Sequence, residues 1–153
     1  MARKYWLIKT EPSVFSIDDF KKLPNEITAW EGVRNYQARN FMREMKKGDL
    51  LLIYHSNADN TGIAGIGELV KEAYPDHFSW DKKSQYFDPG STIEKPRWDM
   101  VDIKFVKKLK RVIELSHLKE IVSLKDMLIL RKGNRLSVTP VSEVEFDIIS
   151  KLA

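Results

Sequence analysis

An almost uninterrupted apolar run at residues 49–56, D-L-L-L-I-Y-H-S, limits the folds open to this chain more than any other segment. Such a run predicts a strand buried at the centre of a sheet. A polar turn at residues 57–62 follows, and residues 63–74 then resume as a strand whose glycines mark bends or close approaches of the backbone. The chain is therefore expected to be built on a sheet with this central strand.

Other segments predict further strands and short helices around that sheet. Alternating or strand-forming composition marks three more strands, at residues 4–10, 98–109 and 136–138. Capping boxes at Ser16 and Ser142 begin two short helices, and helical turns are predicted at residues 116–121 and 124–130. The longest irregular stretch, residues 75–96, has the length of a lid or binding loop. The pattern predicts an α+β fold, a small mixed β-barrel with helices at its edges.

Length and composition narrow the class of protein. A chain of 153 residues fits a single domain spanning residues 1–153, which can stabilise a core without disulfides or metal. It has no cysteine, which excludes thiolate catalysis, zinc ribbons and disulfide scaffolds. The formal net charge of +4 and the pI near 9.2 permit a polyanionic partner without requiring one. With no evident signal peptide or membrane span, we expect a soluble monomer in the cytoplasm, or in the nucleus of a eukaryote.

Residues 30–42, W-E-G-V-R-N-Y-Q-A-R-N-F-M, carry two distinct helix faces, and we call them the recognition segment. After Gly32, helical spacing places four apolar residues on one face, Ala38, Phe41, Met42 and Met45. The opposite face holds groups that can read nucleobase edges and phosphates, namely Tyr36, Asn40, Arg43 and the flanking Gln37 and Arg39. The helix is expected to end at residues 46–48, K-K-G. This polar face predicts a recognition element.

Residue spacing disfavours catalytic and cofactor sites. Metal-ligand spacing is missing from the three histidines, His55, His77 and His117. His55 and Ser56 are adjacent on a strand, so their side chains point to opposite faces and do not easily form a catalytic pair. The series Gly62-x-x-Gly65-x-Gly67 has the wrong order for a dinucleotide-binding loop and is followed by a strand rather than a helix. We therefore expect no cofactor, no metal ion and no enzymatic activity.

Five ordered motifs point to a family. They are W-x-x-K-T-E-P from Trp6, W-x-G-V-R-N-Y-Q-A-R-N from Trp30, Y-H-S from Tyr54, I-A-G-I from Ile63 and R-L-S-V from Arg135. With this set in this order, from about Tyr5 to the C-terminus, the chain resembles the EVE domain, the domain of the thymocyte nuclear protein family within the PUA-like superfamily. Two positions depart from that pattern: Glu31 stands where aspartate is expected, and Phe87 stands where a tyrosine is often found.

The resemblance implies a PUA-like mixed β-barrel surrounded by short helices, and kinship to YTH domains, which hold N6-methyladenine in an aromatic cage. It also implies a reader of modified bases in DNA or RNA, including modified cytosines. By motif, Trp30 and Trp98 are the expected cage walls. The other expected pocket residues contact the base or line the rim of the pocket, and they are Lys9, Asn35, Tyr36, His55, Ser56 and Ser137.

The expected function is therefore a non-enzymatic reader that holds a flipped, modified base in an aromatic-walled pocket. Arg34, Arg39 and Arg43 are the expected phosphate contacts. Modified DNA or RNA is the expected partner, with a separate effector protein as a further candidate. Two rivals stay open: a modification-dependent nuclease or hydrolase built around His55, and a binding module for a small metabolite or a protein. Replacing Trp30 by alanine is expected to abolish binding and to leave the fold intact.

Overall fold

The computed structural model describes residues 3–133 and 136–152. Within them lies one six-stranded sheet, formed by β1 (Tyr5–Thr10), β2 (Ile27–Trp30), β3 (Leu50–His55), β4 (Gly62–Pro75), β5 (Asp99–Glu114) and β6 (Val138–Val141). The same residues form four α-helices, α1 (Ile17–Lys21), α2 (Tyr36–Glu44), α3 (Leu115–Glu120) and α4 (Glu143–Leu152). Short 3-10 turns cover Pro24–Glu26, His77–Trp80, Val122–Leu124 and Leu128–Leu130.

The sheet is mixed and open. Its strand order is β2-β5-β4-β3-β1-β6, with β1 parallel to β3 and the other neighbours antiparallel. Residues 51–54 of β3 are all buried, as expected of a central strand. The α+β class is confirmed, but the sheet does not close into a barrel, since β2 and β6 each pair with one neighbour in the described part of the chain. Both edge strands have only four residues, so each exposes few unpaired backbone N–H and C=O groups to which another strand could bind.

Apolar side chains cover both faces of the sheet and form two core layers. The first layer contains Ile8 and Ile53 together with residues of α1, α2 and β2. The second layer contains Leu7, Leu52 and Tyr54 together with residues of α3 and α4. Because successive strand residues point to opposite faces, neighbouring residues of β1 and β3 belong to different layers. This alternation decides which of the predicted site residues can meet.

The recognition segment contains α2, and its apolar face is buried as predicted. Ala38 and Met42 are inaccessible to solvent. Asn35, predicted as a contact to the base, is the N-cap of this helix, and its Oδ1 accepts a hydrogen bond from the Ala38 amide at 2.9 Å. That bond satisfies one of the amides that the first turn of a helix leaves without a partner. The helix therefore begins at Tyr36, at the start of the polar face.

Three strands differ from the sequence-based expectation. β6 covers Val138–Val141 instead of residues 136–138. β2 ends at Trp30, the first residue of the recognition segment, where no strand was predicted, because four residues are too few to display a clear period. β5 continues to Glu114 instead of ending at residue 109. Its second half keeps Leu109 and Ile113 buried while the basic residues around them are exposed. That mixture of lysines and arginine hides the period of a strand.

α2 ends at Glu44, before the predicted end at residues 46–48. The buried Asp49 carboxylate accepts hydrogen bonds from the Lys46 amide at 2.9 Å and from the Trp6 indole N–H at 3.0 Å. An acceptor from outside the helix thus takes an amide that would otherwise continue the helical ladder. At the other end of the chain, Arg135 of the last motif lies outside the described residues.

Candidate nucleic-acid interface

Asp76 joins the recognition segment to the loop at residues 75–96, and its side chain is fully buried. Its Oδ2 accepts hydrogen bonds from the Gly32 amide at 2.9 Å and from the Arg34 guanidinium at 3.0 Å. Its Oδ1 accepts one from the Phe78 amide at 3.0 Å. A single carboxylate therefore fixes both the backbone after β2 and the beginning of the loop.

Arg34 holds the far part of the same loop. Its Nε and Nη2 donate to the Tyr86 carbonyl at 3.1 Å and 2.7 Å, and its Nη1 donates to the Val33 carbonyl at 2.9 Å as well as to Asp76. The guanidinium carbon also lies 5.7 Å from the centroid of the Tyr86 ring. Four of the five N–H donors are engaged within the protein. Arg34 therefore positions the loop, and its role as a phosphate contact stays a prediction.

Gly32 allows the loop to approach the recognition segment closely. Its φ of +86° lies in the left-handed region, which L-residues with a side chain rarely adopt. A Cβ at this position would lie 2.6 Å from Cε1 of the Tyr86 ring. The ring therefore packs directly against the backbone after Trp30, and the glycine of the W-x-G motif has a steric cause.

A cavity of about 350 Å³ opens between the end of β2 and the loop. Its lining residues are Glu31, Phe78, Asp81, Lys83, Ser84, Gln85 and Tyr86. Its volume falls within the range of small-ligand pockets, which is about 300–1,000 Å³. Burial raises the pKa of the Glu31 carboxyl, and the neighbouring Asp76 carboxylate raises it further. The pKa of the Tyr86 hydroxyl is raised first by burial and then by the Glu31 charge. The cavity thus combines aromatic side chains with a partly buried acid.

Trp98 and Tyr36 form a stacked pair beside the loop. Their ring centroids are 4.8 Å apart and the planes differ by 23°. The Trp98 indole N–H donates to Asp88 at 2.6 Å, and the Arg39 guanidinium carbon lies 4.8 Å from the Tyr36 ring centroid. Trp98 is 5% exposed, whereas Tyr36 is 52% exposed. Of these two predicted pocket residues, Tyr36 is the one that offers surface to a partner.

Trp30 lies in the first core layer, with 8% of its surface exposed. The Phe15 ring meets it edge-on at a centroid distance of 5.8 Å, and the Phe20 ring does so at 6.3 Å. Glu31, the next residue along the chain, lines the cavity. Because the indole belongs to the core, the expectation that Trp30→Ala leaves the fold intact is not supported by its packing.

Lys9 and Ser137 lie together at one end of the sheet. The Lys9 amide donates to the Ser137 carbonyl at 2.9 Å. The Lys9 ammonium lies 5.9 Å from the ring centroid of Tyr54, which belongs to the second core layer. Burial lowers the pKa of this ammonium. The sheet therefore separates the Lys9 side chain from Trp30, and the structure does not bring these two predicted pocket residues together.

His55 and Ser56 end β3 with different partners. The His55 Nε2 accepts a hydrogen bond from the Ile17 amide at 3.1 Å, and burial lowers the pKa of the imidazole. The Ser56 amide donates to the Thr10 carbonyl at 2.9 Å. Since the Nε2 lone pair is already used, His55 is poorly placed to act as a general base in a hydrolase. Among the described residues, no group of three or more His, Cys, Asp or Glu side chains is placed to hold a metal ion.

Comparison with known proteins gives the family. Residues 4–152 match the EVE domain. The chain belongs to this family. Human thymocyte nuclear protein 1 is 43% identical over 165 residues, covering 97% of this chain and 73% of that protein. A crystal structure from Pseudomonas syringae superposes with a TM-score of 0.93 at 47% identity, covering 97% of this chain and 98% of that one.

A second solved structure similar to this chain contains DNA. The crystal structure of human THYN1 protein in complex with 5-methylcytosine-containing DNA superposes with a TM-score of 0.91 at 44% identity. The match covers 97% of this chain and 96% of that one.

In the part of the EVE domain that the structure describes, the helices are too short or too polar to cross a membrane.

Two arginines of α2, Arg39 and Arg43, are accessible to solvent. Arg39 donates to the Arg97 carbonyl at 2.9 Å and to the Asn40 side chain, while remaining partly exposed. Arg43 is exposed and forms an ion pair with Asp99. Each guanidinium is anchored on one side and open to solvent on another, so both stay candidates for the predicted phosphate contacts.

Replacing Gly32 by alanine is expected to destabilise the EVE domain by about 2–5 kcal/mol, which urea unfolding would measure. A left-handed backbone costs alanine roughly 1–2 kcal/mol, and overpacking against the Tyr86 ring adds about 1–3 kcal/mol. Gly48→Ala is the matched control, because Gly48 has a φ of +97° and no atom within 4 Å of the added Cβ. Equal losses in the two variants would contradict the steric role of Tyr86.

Asp76 and Tyr86 were not among the predicted members of this site. Asp76 begins a loop, where acidic residues are common as caps, so its burial has no signature in the sequence. Tyr86 lies one residue before Phe87, the position that attracted notice as a departure from the family pattern. Tyr86, and not Phe87, is the loop residue that lines the cavity. In the sequence, the glycine of the W-x-G motif is the feature that indicates a close approach of another segment to the backbone at Gly32.

Proposed function

We propose that this EVE domain binds DNA containing modified cytosine and acts as a reader without catalytic turnover. The observation that carries the proposal is its 44% identity and TM-score of 0.91 to human THYN1 protein in complex with 5-methylcytosine-containing DNA. The coverage of 97% of this chain includes the recognition segment and the loop that faces it. A hydrolase built around His55 is disfavoured, because the Ile17 amide occupies the imidazole nitrogen that faces it.

The modified base is proposed to leave the duplex and enter the cavity between Glu31 and the loop. Extrusion of a base costs a few kcal/mol. Stacking on an aromatic side chain returns about 1–3 kcal/mol per base, and the Tyr86 and Phe78 rings are available for it. Trp30, which directly precedes Glu31, supports this wall from the core and stays a proposed pocket residue. The Trp98–Tyr36 pair is proposed to contact the flanking nucleotides through the exposed Tyr36 ring.

Phosphate contacts are proposed for Arg39 and Arg43 on α2, joined by Lys83 at the cavity mouth. All three side chains carry positive charge on the side of the molecule that holds the recognition segment and the loop. Such contacts release counterions from DNA, so affinity should fall as salt concentration rises. The partly buried Lys9 ammonium, on the other face of the sheet, is a less suitable phosphate contact.

Replacing Tyr86 by alanine is expected to weaken binding to a 5-methylcytosine duplex about 10- to 100-fold, the equivalent of roughly 1–3 kcal/mol of lost stacking. Fluorescence anisotropy with a labelled oligonucleotide measures the effect, and thermal unfolding verifies that the variant is folded. Phe87→Ala is the matched control, because Phe87 is the neighbouring exposed aromatic and does not line the cavity. Unchanged affinity in folded Tyr86→Ala would reject the cavity as the base-binding site.

The same relatives support a proposal for the compartment. The vertebrate relatives, from human and chicken among others, carry the name thymocyte nuclear protein 1. We propose a nuclear location wherever the source is a eukaryote, since methylated DNA would be the partner there. Location in the cytoplasm of another kind of cell, the monomeric state and a separate effector protein stay predictions.

A further inference from the structure

We propose that Glu31 determines base specificity by accepting a hydrogen bond from the 4-amino group of a flipped cytosine, so that the cavity admits 5-methylcytosine and rejects thymine. The inference rests on the proposed function, because it concerns the base held in the cavity beside β2. Thymine is the informative competitor, since it carries the same 5-methyl group and differs from 5-methylcytosine at the 4-position and the adjacent ring nitrogen.

The position of Glu31 favours such a contact. It follows the last residue of β2, lines the cavity and is only partly exposed. In the described part of the chain, the single hydrogen bond to its carboxyl comes from its own backbone amide. The carboxyl therefore retains acceptor capacity inside a cavity of the size of a small ligand.

The other carboxylate of the cavity is less suited to this role. The Oδ1 of Asp81 accepts a hydrogen bond from the Lys83 amide at 2.9 Å, and the residue is exposed. An exposed carboxylate also exchanges hydrogen bonds with water at little cost, so it discriminates weakly between bases. Glu31 is therefore the acid whose hydrogen bonding would depend on the ligand.

The two pyrimidines differ in the group that their 4-position presents to this carboxylate. An ionised carboxylate has acceptors only. The 4-amino group of cytosine donates to such an acceptor, which is a known pairing of Glu and Asp with this base. Thymine presents a carbonyl oxygen at the same position, so a carboxylate held at the 4-position would face a second acceptor. A partly buried acceptor left without a donor is unfavourable, and this gives selectivity beyond what the shared methyl group could provide.

Several charged and titratable groups act on Glu31, and they set the pH dependence. Burial and Asp76 disfavour its ionised form, whereas Arg34 and His77 favour it. The further titratable neighbours in and around the cavity are Tyr74, Asp81, Lys83 and Tyr86. Because the pKa of Glu31 is raised, its carboxyl becomes protonated at a higher pH than an ordinary glutamate. A protonated carboxyl can donate to thymine, so selectivity should decline as the pH falls through that raised pKa.

The test compares 5-methylcytosine with thymine, each placed opposite an abasic site so that neither base loses a pairing partner on extrusion. Wild-type protein is expected to prefer 5-methylcytosine about tenfold or more by fluorescence anisotropy. Glu31→Gln supplies both a donor and an acceptor, and it should reduce this ratio to near one while keeping the affinity for 5-methylcytosine within a few-fold. Asp81→Asn, which alters the other acid of the cavity, should leave the ratio unchanged.

The outcomes separate the two proposals. Wild-type protein that fails to bind 5-methylcytosine DNA would overturn the proposed function itself. Wild-type binding with a ratio that Glu31→Gln leaves unchanged, or that Asp81→Asn abolishes instead, would overturn the role of Glu31. The pH series is repeated in a His77→Gln background, so that the charge of the imidazole does not contribute. Selectivity that stays constant at low pH in that background would also count against the role of Glu31.

Discussion

Trp30→Ala is expected to lower the free energy of unfolding by about 3–5 kcal/mol, the usual cost of truncating a buried tryptophan. The indole is 8% exposed and packs edge-on against Phe15 and Phe20 in the first core layer. Domains of this size have a total stability of roughly 5–15 kcal/mol, so the variant should lose a large share of it. Urea unfolding followed by circular dichroism measures the change.

Phe87→Ala is a suitable control for that measurement, because its ring is 37% exposed. A surface truncation of this kind should cost within about 0.5–1 kcal/mol. A loss below 1 kcal/mol in Trp30→Ala would show that the indole contributes little to the core and would restore it as a simple cage wall. The expected large loss means that reduced DNA binding by Trp30→Ala says nothing about stacking unless the folded fraction is measured at the same time.

Local sequence patterns predicted the elements that depend on neighbouring residues. The apolar run of β3, the buried face of α2 and the capping boxes at Ser16 and Ser142 all follow from interactions within a few residues. In each case the period of the side chains or the cap chemistry is complete within the segment. Such elements are therefore accessible to a reading of the sequence alone.

The arrangement of the candidate site depends on distant residues and was less accessible. Asp76 meets Arg34 across 42 positions of the chain, and Arg34 meets the Tyr86 carbonyl across 52. Neither separation leaves a periodic trace. The motifs include Arg34 and Gly32, yet only the fold reveals that the first holds the loop and the second makes room for its aromatic ring.

Because side chains alternate along a strand, the expected members of the base pocket lie on two different faces of the sheet. His55 directly follows Tyr54 in β3, and the two side chains face different core layers. Lys9 pairs with Tyr54 in register and lies on that second face. A set of motif residues at strand ends can therefore belong to two separate surfaces. Glu31 lines the cavity next to the long loop, and Trp30 lies behind it in the first core layer.

Asp76→Ala is expected to destabilise the domain by about 3–5 kcal/mol, because it removes one member of a buried ion pair and leaves the other without compensation. The carboxylate is fully buried and accepts hydrogen bonds from Gly32, Arg34 and Phe78. Two backbone amides would lose their acceptor together with the guanidinium. Thermal and urea unfolding measure the loss, and Asp59→Ala at an exposed position is the control.

A double-mutant cycle identifies the source of that loss. The unpaired Arg34 charge could be the main cause of the loss. In that case the double variant Asp76→Ala/Arg34→Leu should lose at least about 1 kcal/mol less unfolding free energy than the two single variants lose together. Strict additivity would assign the effect to the Gly32 and Phe78 amides instead. In either case the loop at residues 75–96 loses the Asp76 attachment to Gly32 and Arg34, so Tyr86 would be held less firmly against Gly32. DNA binding should therefore fall with Asp76→Ala even at temperatures where the variant is still folded, although Asp76 itself is buried behind the cavity wall.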